Sequence, residues 1–78
     1  MKKITSQFLE SKGFTKRETP NGEFYEKNNV AITFDNRVNK WILCIIFDNM
    51  IRYLAPPLYI EYDDELIKYY RECTGLNI

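Results

Sequence analysis

The segment from Lys40 to Phe47 constrains the fold more than any other part of this chain. Every residue after the lysine is apolar, and branched and aromatic side chains, which favour β-strands, predominate. Because successive side chains of a strand point to opposite faces of its sheet, this strand is apolar on both faces. We therefore expect it to be the central strand. The run is also far shorter than the roughly 20 apolar residues that cross a bilayer, and we expect no membrane span.

The flanking sequence predicts further strands joined by tight turns. In Val30–Asp35 large apolar side chains alternate with small or polar ones, the period-two pattern of a half-buried strand. Phe14–Thr19 and Glu23–Lys27 flank Pro-Asn-Gly, which indicates a β-hairpin. Met50–Leu54 predicts a last, short strand, which we expect Ala55-Pro56-Pro57 to end because proline donates no backbone hydrogen bond.

Helix signals stand at both ends of the chain. Thr5 is typical of the residue that caps a helix N-terminus, and Gly13 is typical of the residue just after a helix. A second helix is predicted to begin near Tyr62 or Asp63 and to end at Gly75. The face of this helix predicted to pack on the sheet consists of Leu66, Tyr70 and Cys73.

The order of these elements predicts a single α+β domain spanning residues 1–78. It comprises a short N-terminal helix, an antiparallel β-meander of four to five strands, and a C-terminal helix packed on the sheet. If both helices cover one face, an apolar row of the Lys40–Phe47 strand is left on the other. Either the helices take opposite faces, or a partner covers the sheet. Small domains gain little stability from burial, which makes a homodimer plausible.

Residues suited to catalysis are scarce. There is no histidine, the usual general base at neutral pH, and we expect no enzyme, no cofactor and no metal. Cys44 and Cys73 show no metal-ligand spacing and are predicted to be reduced thiols in or near the core. A hydrolase using Asp35, Asp48 and Glu61 is the weakest alternative. The acidic group at the start of the second helix is explained by the helix dipole rather than by a metal.

Aromatic side chains are more numerous than a small core can hold. The chain has six tyrosines and one tryptophan, the residue types that binding surfaces favour. The alternative is that the tyrosines only rim the core with their hydroxyl groups in water. The predicted protein interface comprises Trp41, Tyr25, Tyr53, Tyr59, Tyr62 and Tyr69.

Basic residues near some of these aromatics suggest nucleic-acid binding as a second function class. Bases stack on aromatic side chains while cations hold phosphates. The predicted contacts are Lys16, Arg17, Arg37 and Lys40. The formal net charge is zero, however, and glutamates lie between the cations on the predicted hairpin, where they would repel a phosphate backbone.

These observations together favour a non-catalytic macromolecule-binding or regulatory accessory module. Its partner is most simply a protein, either another chain or a second copy, and a small nucleic-acid-binding protein is the alternative. The Asn-, Ile-, Lys- and Tyr-rich composition suggests a bacterial or phage type. The polar segment after Met1-Lys2-Lys3 does not resemble a signal peptide, and we expect a cytoplasmic location.

Overall fold

The computed structural model describes all residues, 1–78, and has the predicted α+β layout. Two helices enclose five strands in sequence. The elements are α1 (Ser6–Ser11), β1 (Thr15–Thr19), β2 (Gly22–Lys27), β3 (Val30–Asp35), β4 (Lys40–Phe47), β5 (Met50–Ile60) and α2 (Asp63–Thr74).

The strands form one antiparallel meander in the order β1-β2-β3-β4-β5. Asn28-Asn29 and Asp48-Asn49 are two-residue turns in which both residues have positive φ, the left-handed conformation that asparagine and aspartate tolerate. Such turns fix the register of the hairpins they close. The expectation that β4 is the central strand is wrong, since β3 lies at the centre. Apolar side chains on both faces indicate that both faces of the strand are buried. Any interior strand of the sheet can be buried in this way, so the pattern does not identify the central one.

The prediction that the last strand stops before the prolines is also wrong. Strand β5 pairs with β4 up to Tyr53, and the ladder then resumes with Leu58 opposite Leu43. The residues between, Leu54–Pro57, bulge out of the register. Because β5 is an edge strand, prolines in this bulge break no ladder on its outer side, and the strand continues beyond them.

Both helices pack on the same face of the sheet, which we call the helical face. Leu9 of α1 and Leu66 of α2 are completely buried in one cluster with Ile32 and Leu43. Tyr70 is also buried there, and its hydroxyl oxygen accepts a hydrogen bond of 2.8 Å from the Asn28 side-chain amide. The opposite face, which we call the open face, carries no helix.

The helix ends agree with the sequence in most details. The Thr5 hydroxyl oxygen accepts the Phe8 N–H at 3.1 Å and caps α1. Gly75 ends α2 in the left-handed conformation. Cys73 is exposed, however, and the prediction that it belongs to the packed face is wrong, because burial along α2 ends at Tyr70.

The N-terminal residues tie the starts of the two helices together. The Ile4 N–H donates to the Glu61 carbonyl at 3.0 Å, and the Asp63 N–H donates to the Lys2 carbonyl at 2.8 Å. The Trp41 indole N–H donates to the Ile4 carbonyl at 3.3 Å. The segment before α1 therefore fixes both α2 and one side of the Trp41 ring.

Packing of both helices through one small cluster makes Leu66 critical for stability. We expect Leu66→Ala to lower the free energy of unfolding by about 2 to 5 kcal/mol, because it leaves a cavity in the core. That is a large part of the roughly 4 to 12 kcal/mol expected for a domain of this length. Leu76→Ala, at a half-exposed leucine, is the matched control and should cost less than about 1 kcal/mol. Urea denaturation measures both, and equal losses would contradict this packing.

Candidate binding groove on the open face

The open face has a buried floor although no helix lies over it. Ala31 and Cys44 are 1% and 0% exposed, and Ile42 is 7% exposed. Side chains of the sheet itself pack against them, including those of Phe24 and Ile51. The open face is therefore covered in part by its own rims.

Curling of the sheet explains this self-coverage. The β1–β2 turn and the β4–β5 turn lie at opposite ends of the meander, yet Asn21 and Gly22 of the first and Asn49 of the second line the same groove. Two diagonal corners of the sheet therefore approach each other across the open face. The groove between them has a volume of about 960 Å³.

A split between β2 and β3 extends this groove. The pairing of the two strands runs only from Lys27↔Val30 to Tyr25↔Ile32, whereas β2 remains paired with β1 as far as Gly22. Beyond Tyr25 the Thr33 hydroxyl donates to the Glu23 carbonyl at 3.0 Å in place of a ladder bond. The groove is consequently lined by residues of both faces.

Aromatic rings form much of the groove wall. Phe34 and Trp41 meet edge to face with ring centroids 5.2 Å apart, and Tyr25 meets Trp41 in the same way at 6.1 Å. Phe34 is 46% exposed and Tyr53 is 62% exposed. Since the Trp41 N–H is bonded to the backbone, this residue offers the groove an apolar ring.

Glu23 is the only charged residue that lines the groove. Its carboxylate lies 3.3 Å from the Lys16 ammonium, which is also 3.8 Å from the Glu18 carboxylate. The hydrogen bond to Glu23 and the negative charge of Glu23 raise the pKa of Lys16. Two carboxylates around one ammonium leave this corner of the hairpin with a net negative charge.

The predicted nucleic-acid contacts are mostly neutralised by neighbouring carboxylates. Lys16 is paired as described, and Arg17 lies 2.7 Å from Glu26. Arg37 binds the two oxygens of Asp35 through its Nε and Nη2 atoms at 3.0 and 2.9 Å. Lys40 alone of these four cations makes no ion pair.

The predicted interface tyrosines lie on both sides of the sheet. Tyr53 and Trp41 line the groove, and Tyr25 contributes to its wall although only 4% of it is exposed. Tyr59 pairs with Ile42 on the open face but lies outside the groove lining. Tyr62, at the start of α2, and Tyr69, which packs against the main core, belong to the helical side.

Sequence reasoning missed Phe34, Ile51 and Met50 as groove residues. The two-residue turns contained the signal that could have found Ile51. Those turns fix the register, and the register assigns Ile51 and Tyr53 to one face of β5. The diagonal curl, which brings Met50 to the same groove as Gly22, has no comparable signal in the sequence.

The carboxylates considered for hydrolysis do not converge. Asp35 lies opposite Lys40 in the β3–β4 ladder, at one end of β4. Asp48 follows the other end of β4, roughly 25 Å away at the usual rise per residue. Paired carboxylates of glycosidases lie within about 10 Å of each other. Glu61 is engaged with Lys3 at 3.6 Å. No group of three or more Cys, Asp or Glu side chains suited to holding a metal ion occurs.

Comparison with known proteins gives no relative to place beside this geometry: no protein-family model matches the chain, and searches of curated proteins and of solved structures find no significant match. Neither helix is long and apolar enough to span a bilayer.

The two cysteines provide a test of the buried floor. Burial raises the pKa of Cys44 to about 11, whereas Cys73 is exposed. We expect iodoacetamide at pH 8 to alkylate the folded protein once, at Cys73, and to modify Cys44 only in denaturant. Mass spectrometry reads the adducts, and a folded Cys73→Ser variant should gain none. Rapid alkylation of Cys44 in that folded variant would contradict a closed floor.

The Asp35–Arg37 pair gives the protein a specific pH dependence. Hydrogen bonds from Arg37 lower the pKa of Asp35, so the pair stabilises the folded state above the unfolded carboxyl pKa of about 3.9 and loses this effect as the pH falls. We expect Asp35→Asn to reduce stability at pH 7, with the difference from wild type shrinking below about pH 4. Asp48→Asn is the control. Denaturant titrations across this range would refute the pair's role if the difference did not change with pH.

Proposed function

We propose that the protein is a non-catalytic, protein-binding accessory module that binds its partner in the groove of the open face. The observation that carries this proposal is the groove itself. It is about 960 Å³ in volume and is lined by aromatic rings of both faces, Phe24 and Tyr53 on the open face and Phe34 and Trp41 beyond the split.

The groove has the composition of a binding surface rather than of an ordinary solvated sheet. Tyrosine, tryptophan and phenylalanine supply large contact areas at a low entropic cost, and they dominate binding energy in protein interfaces. Trp41 and Phe34 are held by edge-to-face contacts, so little ordering is required when a partner binds. Polar Asn21 and Asn49 at the corners can bond a partner's backbone.

Electrostatics favour a protein partner over nucleic acid. Phosphate binding requires free cations, but Lys16, Arg17 and Arg37 are all paired with carboxylates. The only charge in the groove is that of Glu23, which would repel a phosphate backbone. A regulatory role, a cytoplasmic location and a bacterial or phage type are parts of the same proposal, supported by composition.

A substitution at Tyr53 tests the proposal. Because its ring is largely exposed, Tyr53→Ser should leave the fold intact yet weaken partner binding at least tenfold. Val38→Ser removes another half-exposed apolar side chain, in the β3–β4 turn outside the groove, and is the matched control. A partner captured by the wild-type protein is purified. Its affinity for the wild-type protein, Tyr53→Ser and Val38→Ser is then measured by calorimetry.

The outcomes of this titration are distinct. Loss of affinity for Tyr53→Ser alone supports the groove. Equal affinity for all three proteins, or equal loss for both variants, would refute it. Light scattering over a range of concentrations identifies the case in which the partner is a second copy. A nucleic acid that binds with strong salt dependence would support the alternative class.

A further inference from the structure

We infer that the groove accepts an extended peptide segment that carries an apolar side chain and, next to it, a lysine or arginine. This inference rests on the proposed function and specifies the chemistry of the partner. It follows from the backbone, the shape and the charge of the split between β2 and β3.

The split leaves backbone groups that suit an extended chain. The two-residue turn at Asn28-Asn29 makes Lys27↔Val30 and Tyr25↔Ile32 the pairs that exchange backbone hydrogen bonds. The next such pair would join Glu23 and Phe34, and it does not form. The Thr33 hydroxyl donates a hydrogen bond to the Glu23 carbonyl. Because the β2–β3 ladder ends at Tyr25↔Ile32, the Glu23 N–H and the Phe34 N–H and carbonyl have no backbone partner across the split. A peptide in strand conformation that displaces the Thr33 hydroxyl supplies the missing donors and acceptors.

The shape of the groove suits an apolar anchor. Its volume of about 960 Å³ lies at the upper end of the range for pockets that enclose small ligands. Phe24 and Ile51 on the open face, with Trp41 beyond the split, surround the space with apolar surface. Burial of one aromatic or branched side chain there removes apolar surface of both molecules from water.

Charge complementarity selects a basic neighbour for that anchor. Glu23 is the only charged side chain in the lining, and its ion pair with Lys16 is exposed enough to rearrange. Glu18 competes for the same ammonium at 3.8 Å. A lysine or arginine from the partner therefore completes two ion pairs where one ammonium now serves two carboxylates. An acidic residue in its place would meet Glu23 with like charge.

The tryptophan provides the measurement, because Trp41 is the only one in the chain and lines the groove. The probes are two pools of blocked octapeptides whose variable positions hold Val, Ile, Phe, Tyr or Thr. The pools differ at one fixed position, which is lysine in the first and glutamate in the second. Titration of Trp41 fluorescence at low salt should show at least threefold tighter binding of the lysine pool, as expected for one partly exposed ion pair.

Two matched variants assign the preference to its source. Glu23→Gln should remove the preference for lysine. Glu18→Gln should reduce it only in part, since it leaves Lys16 to Glu23 alone but keeps the carboxylate that lines the groove. Raising the salt concentration should reduce the preference in the wild-type protein. Equal affinity for the two pools, or the same response from both variants, would overturn the inference.

Other occupants give different results. In one case neither pool changes the Trp41 fluorescence up to millimolar concentration, while a folded protein partner binds the wild-type protein and fails to bind Tyr53→Ser. The inference is then overturned and the proposed function stands. If Trp41 fluorescence changes with protein concentration alone, a second copy fills the groove and the inference is overturned. If only an oligonucleotide binds, both proposals fail.

Discussion

Packing of both helices on a single face of the sheet is the constraint on which the rest of the structure depends. Leu9 and Leu66 meet the same apolar cluster, and the N-terminal segment binds the starts of both helices together. The opposite face then has no second layer of secondary structure. A small domain cannot leave the apolar side chains of β4 on that face in water without losing much of the stability gained on the other. The curl of the sheet resolves this conflict by burying Ala31, Ile42 and Cys44 beneath its own rims.

The groove is a geometric consequence of that curl. When two diagonal corners of a sheet approach, the strands between them must separate or bend, and here β2 separates from β3 beyond Tyr25. The bulge at Leu54–Pro57 lets β5 follow β4 around the curvature although the strand contains two prolines. The apolar floor and the split, with its unpaired backbone, thus have one origin.

Local features of the fold were predictable because each depends on few residues. Thr5, Gly13, Gly75 and the two asparagine-containing turns set the element boundaries by their own backbone preferences, and the structure has them there. The central position of β3 rather than β4 was not predictable, since burial on two faces is common to both strands. Neither was the continuation of β5, because an edge strand tolerates proline as an interior strand does not.

The candidate site was predictable only in part, for a related reason. Composition identified aromatic residues as candidates, and Trp41 and Tyr53 do line the groove. Which tyrosines are buried depends on the face of the sheet on which the helices pack. The sequence therefore did not show that Tyr25 is buried and Tyr53 is exposed. The pairing of Arg37 with Asp35 depends on the β3–β4 turn, and it removes a cation that the sequence alone offers to a phosphate.

Nuclear Overhauser effects from the methyl groups of β3 and β4 test the central claim most directly, because they report which side chains cover each face. The Ile32 and Leu43 methyl groups should show contacts to the Leu9 and Leu66 side chains of the helices. The Ala31 and Ile42 methyl groups should instead show contacts to Phe24 or Ile51. Contacts from either helix to Ala31 or Ile42 would contradict this arrangement, since they would place a helix on the open face.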